Sequence, residues 1–178
     1  MTRVLVAGIG NIFFRDDGFG PAVTAAILTS DQRLPDGVDV VDYGIRGMHL
    51  TFDLLTGVEA LVIVDALPAT GAQADRAPGG ITVLRVGSDD LGHGEFDAHG
   101  MQPVSVLASL AAMGGALPPT FVVGCVPADT SEGIGLSEPV AAAVGPATAV
   151  VTELVNRLLE DPFGPVGATP VGHATGGD

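Results

Sequence analysis

Five short runs of apolar, mostly β-branched residues punctuate the chain, at residues 4–7, 38–41, 61–64, 81–86 and 121–126, each followed by Gly, Asp or Pro. Runs of this length without polar alternation predict strands buried on both faces of a sheet. Between them the apolar period lengthens to that of a helix. Residues 21–28, 48–55 and 103–113 carry such patterns, the last with Val104, Leu107, Ala108 and Ala111 as its apolar face. A fourth helix is predicted from Ser137 as N-cap, with Glu138 and Pro139 in its first turn, to about Leu159. Strand and helix alternate, which predicts an α/β domain with a largely parallel sheet.

Two connections, 68–80 and 87–100, are longer than a minimal crossover, and long connections in compact domains often carry function. From Asp161 onward the chain is rich in Pro and Gly and has no apolar period. It divides into a domain over 1–160 and a disordered tail over 161–178. No apolar run reaches the 18 or so residues that span a bilayer, and the N-terminus lacks the pattern of a signal peptide, so the expected compartment is the cytoplasm. The charge balance narrows the partners. Seven Lys and Arg stand against 21 Asp and Glu, a net charge of −14, which disfavours nucleic acid and anionic membrane. With only Cys125, neither an internal disulfide nor a multi-cysteine zinc site is possible. Cys125 lies inside a strand run and is expected to pack in the core.

The candidate chemistry lies after the first strand, in GIGNIFFRDDGFG, residues 8–20. A dinucleotide loop would need glycine at position 13, where Phe13 stands, and Walker A fails for want of Lys-Ser or Lys-Thr. Asp42, at the end of the second run, is the ribose partner which that reading would require. The carboxylates make the stronger case. Ligands of open α/β sheets bind beyond the carboxyl ends of parallel strands. An acid from Asp16-Asp17 and Asp65, which directly ends the third run, therefore face one cleft. His99, just before the third helix, completes an open oxygen, oxygen, nitrogen set suited to a divalent transition metal. His93 and His49 are rival imidazoles on spacing. Asp16 is a structural neighbour in this reading, capping the helix that follows, and Gly18 and Gly20 let the chain turn sharply into that helix.

Five pieces in order carry a resemblance to a known family: Val-Leu-Val-Ala-Gly-Ile-Gly-Asn with Arg15-Asp16-Asp17-Gly18-Phe19-Gly20; Asp42-Tyr43-Gly44-Ile45-Arg46-Gly47-Met48; Val64-Asp65-Ala66; His99 with Val106-Leu107; and Gly124-Cys125-Val126-Pro127 with Gly135-Leu136-Ser137. The chain resembles the hydrogenase maturation proteases, endopeptidases that remove a C-terminal extension from the large subunit of nickel-iron hydrogenases. That resemblance implies a three-layer α/β/α sandwich of the phosphorylase/hydrolase-like type, with a five-stranded, mostly parallel mixed sheet. Residues 81–86 would form its antiparallel strand. It implies Asp17, Asp65 and His99 as metal ligands and Gly44, Arg46 and Gly47 as substrate-binding residues. The cofactor it implies is nickel, supplied by the substrate. The partner is the precursor of a hydrogenase large subunit, cut after a basic residue by a nickel-dependent aspartic- or metallo-type endopeptidase acting as a monomer. The nickel either polarises the scissile carbonyl or serves recognition only. Two departures stand out: Ser105 occupies a position where the family often has an acid, and 68–80 matches no family motif. The competing reading is a non-catalytic metal- or nucleotide-binding α/β module.

Overall fold

The computed structural model describes residues 3–31, 33–69, 75–87 and 102–164, without the side chains of 102–105 and 107. The five apolar runs are strands β1 Val4–Ile9, β2 Val38–Gly44, β3 Ala60–Ala66, β4 Ile81–Val86 and β5 Thr120–Cys125. They form one sheet in the order β2-β1-β3-β5-β4. Every pairing is parallel except β4 with β5, which is antiparallel. The mixed sheet implied by the resemblance is therefore the observed one. Burial follows position in the sheet: β1, β3 and β5 are buried throughout, whereas the edge strands β2 and β4 are only partly covered.

Helices α1 Phe19–Thr29, α2 Gly47–Leu55, α3 Gln102–Ala112 and α4 Glu138–Glu160 complete the three layers. Successive strand residues point to opposite faces, and the core divides on that alternation. Val4, Val6, Val62, Val64, Phe121 and Val123 pack with α1 and α4, including Phe19, Val23, Val151 and Leu154. Leu5, Ala7, Ile63 and Val122 pack on the other face with Leu50 and Leu54 of α2 and Val106 and Leu110 of α3. At 23 residues α4 is long and apolar enough to cross a membrane. Its stripe from Val140 through Ala147 and Val151 to Leu158 is nevertheless buried in the core.

Three expectations shift. In α3, Ala108 and Ala111 are exposed, and among the described side chains the buried positions are Val106 and Leu110, those of Val104 and Leu107 lying outside the described residues. The larger side chains, one turn apart, take the face toward α2, where a Cβ on Gly47 would lie 2.7 Å from Val106 Cγ2. Residues 161–164 are not disordered. Asp161 Oδ1 accepts a hydrogen bond from Phe163 N and its carbonyl one from Gly164 N, which forms a turn after α4. Residues 165–178, with the rest of the expected tail, lie outside the described residues. The third shift concerns glycines at the start of α1 and belongs with the site.

Candidate active site at the carboxyl edge of the sheet

The loop after β1 folds back tightly on itself. Gly10 has φ 140, and a Cβ there would come within 1.8 Å of the Asp17 carbonyl oxygen, so only glycine fits. A 3₁₀ turn, Arg15–Gly18, then leads directly into α1. Gly18 and Gly20 were expected to let the chain turn sharply, but neither has a positive φ. Their role is close approach instead. A Cβ on Gly20 would lie 2.2 Å from the Ile9 carbonyl oxygen and 2.3 Å from that of Val64, and one on Gly8 would lie 2.6 Å from Thr24 Cγ2. Helix α1 thus sits directly on β1 and β3, and its approach carries Asp17 over the strand ends.

Asp17 Oδ2 accepts a hydrogen bond from Asn11 N at 2.8 Å. In a nucleotide loop such an N–H would face phosphate; here a carboxylate of the chain itself holds it. Asp42 is likewise engaged locally, Oδ1 accepting from Gly44 N at 2.9 Å. Both features oppose the dinucleotide reading.

Asp65, the penultimate residue of β3, is 2 % exposed. Its Oδ1 accepts one hydrogen bond, from Ala66 N at 2.8 Å. Burial holds its carboxyl well above the ordinary carboxylate range, the charge of Asp17 pushes it further up, and the Ala66 N–H opposes both only in part. The two acids therefore meet at one place, Asp17 from the loop after β1 and Asp65 from β3. Among the described residues each accepts a single hydrogen bond, and like charges so placed call for a proton or a cation between them. That donor chemistry fits a divalent metal. Among the described residues no group of three His, Cys, Asp or Glu converges, so exposed His49 on α2 does not join the pair. His99 and His93 lie outside the described residues.

Asp16 has a different fate. It is fully buried, and its Oδ2 accepts from Ala128 N (2.8 Å), Asp129 N (2.9 Å) and Ser137 Oγ (2.8 Å), while Oδ1 accepts from Ser137 N (2.6 Å). Burial alone would raise its carboxyl, but these donors outweigh it and hold it below the usual value. Asp16 is structural, as expected, although it serves the segment leading into α4 rather than α1. Ser137 does precede α4, yet its hydroxyl makes no cap and turns to Asp16 instead. The main chain reinforces the junction. Asp16 N donates to Asp129 O, Arg15 N to Gly133 O and Gly133 N to Phe13 O. Arg15 adopts φ 47, with Nε 3.3 Å from Asp129 Oδ2. Sequence reasoning missed this junction entirely. Beside it, Cys125 is buried and its thiol is pushed up to about 12 by burial, with the charge of Asp16 adding to the effect, so it is no thiolate nucleophile.

The turn between β2 and α2 flanks the site. Gly10 N donates to Gly44 O at 3.1 Å, and Gly44 has φ 54. Arg46 folds back on its own turn, Nε donating to Tyr43 O at 3.1 Å and Nη2 to Asp42 O. Gly47 permits the contact with α3 noted above. Each of the three expected substrate-binding residues thus has a local structural task at the rim.

The family profile described as hydrogenase maturation protease matches residues 24–154, most of the chain. The chain belongs to the hydrogenase maturation proteases. It is 32 % identical to the hydrogenase 2 maturation protease of Escherichia coli K12 over 151 residues, covering 82 % of this chain and 85 % of that protein. It is 34 % identical to the hydrogenase expression/formation protein HupM of Azotobacter chroococcum over 155 residues, 83 % of this chain and 69 % of that one. The structure of the hydrogenase maturating endopeptidase HybD from E. coli superposes with a TM-score of 0.73 at 28 % identity, covering 88 % of this chain and 93 % of that one. Such a family places endopeptidase chemistry ahead of a non-catalytic binding module.

Proposed function

We propose that this protease removes the C-terminal extension from the nickel-loaded precursor of a nickel-iron hydrogenase large subunit, using Asp17, Asp65 and His99 to engage the metal. The observation that carries this reading is the convergence of Asp17 and Asp65 at the carboxyl edge of the sheet, with Asp65 buried and holding a single donor. A nickel ion arriving inside the precursor would supply a Lewis acid for the scissile carbonyl. The chain itself does the rest. Asp65, rigid in a central strand, fixes the direction of approach, and Asp17, held by Asn11 N, presents a second oxygen from the loop. Two carboxyl groups brought together would favour a cation between them, so an empty precursor would be held less well than a loaded one. Gly44, Arg46 and Gly47 form the wall of the cleft on the β2 side, where the cut segment lies.

Replacing Asp65 by Asn and, separately, His99 by Ala, then assaying cleavage of nickel-loaded precursor, tests this assignment. Each variant should lose processing by at least about a hundredfold, the scale of removing a group that stabilises charge at a reacting centre. Unchanged processing by both would remove the site from Asp65 and His99.

A further inference from the structure

The segment before Asp17 and the segment after β5 are joined into one ridge, and the ridge is apolar. Ile12, Phe13 and Phe14 are 51, 58 and 43 % exposed, and Ile134 is 75 % exposed. Phe14 and Gly133 form a parallel bridge, and hydrogen bonds between 13–15 and 133 place Ile134 beside the phenylalanines. Single exposed apolar side chains are ordinary on a protein surface, whereas contiguous ones mark an interaction site. The chain has only eight aromatic residues, seven Phe and one Tyr, yet two of them stand here in water. The ridge is also preorganised. Asp16 ties its two halves together from below with four hydrogen bonds, so little ordering entropy remains to be lost on binding.

We propose that this ridge docks an apolar stretch of the precursor's own chain next to the bond that is cut. The inference rests on the protease reading and adds the chemistry of what the enzyme grips. Continuity with the site supports it: Ile12 adjoins Asn11, whose N–H holds Asp17, and a Cβ on Gly18 would lie 3.3 Å from Ile12 Cα. A segment lying on the ridge therefore passes directly to the carboxylates. A second copy of this chain is the poorer occupant. Two chains each of net charge −14 repel, and four side chains fall far short of the roughly 20 to 30 residues a side of a stable interface. A brief enzyme–substrate encounter needs only a few such anchors.

The test compares the wild-type protein with a Phe13→Ser, Ile134→Ser double variant on nickel-loaded precursor, after thermal unfolding shows both folded. KM should rise about tenfold with kcat retained, the effect of losing about 1.4 kcal/mol of binding. A second arm places photoreactive benzoylphenylalanine at position 13 of the otherwise intact protein and should cross-link it to the precursor. If the wild type cuts while the variant keeps the wild-type KM, the ridge is not the docking surface and the protease reading stands. Cross-links between two copies of this chain likewise overturn the proposal. If the wild type leaves every loaded precursor uncut, the protease reading falls and takes the ridge with it.

Discussion

Asp16 and Asp65 are two buried carboxylates at the same edge of one sheet, and the structure treats them in opposite ways. Asp16 receives four hydrogen bonds, and its carboxyl lies below the ordinary value despite burial. Asp65 receives one from the described residues and lies well above it, through burial and then the charge of Asp17. Burial alone therefore does not say what an acid is for; the count of donors does. A fully satisfied carboxylate holds the fold together. An under-satisfied one holds energy in reserve for something that is to arrive.

The comparison breaks most visibly at Asp16. Replacing it by Ala strands three main-chain N–H groups and should cost about 3–4 kcal/mol in urea unfolding of the metal-free protein. Its folded carboxyl is depressed, so its stabilisation is fully present above the unfolded value near 3.8 and disappears as pH falls through the lower folded value. The gap between wild type and variant should narrow accordingly below about pH 3.8, by the part that depends on the charge of Asp16.

Asp65→Asn should act in the other direction, raising the stability of the metal-free protein at pH 7 by about 1–2 kcal/mol while abolishing processing. Here the sign reverses. The folded carboxyl is raised, so its contribution is present below the unfolded value near 3.8 and lost as pH rises through the folded value. The advantage of Asn should thus vanish in acid. Destabilisation by this variant at pH 7 would end the distinction between the two acids.

The smallest effect sharpens the count of donors. Ser137→Ala removes one of the four hydrogen bonds to Asp16 and leaves the three N–H donors in place. It should cost about 0.5–1 kcal/mol in the same unfolding measurement, well short of Asp16→Ala.

Much of the fold was legible because strands buried on both faces, here β1, β3 and β5, must be continuously apolar, and the less apolar edge runs also became strands within a few residues. The direction of β4 was not, since residues 81–86 read alike in either sense, and only the family resemblance set it apart. Convergence of Asp17 and Asp65 followed from a rule of open sheets that needs no side-chain detail. The difference between Asp16 and Asp17 did not. The partners of Asp16 lie 112 to 121 residues away, and three of its four donors are main-chain N–H groups, which every residue but proline possesses and no motif records. Gly20 misled for a related reason: a glycine needed for a neighbour's backbone looks in sequence like a glycine needed for a turn. On α3, Ala108 and Ala111 are exposed because alanine counts as apolar without filling space against α2.

The separation of 121 residues from Asp16 to Ser137 also sets an order of events at the ribosome. Strands β1 to β3 can pair as they emerge, but Asp16 lacks its four donors until the chain beyond β5 has been made and α4 begins. The loop that bears Asp17 is therefore tied down from below only after the three strands it rests on have formed.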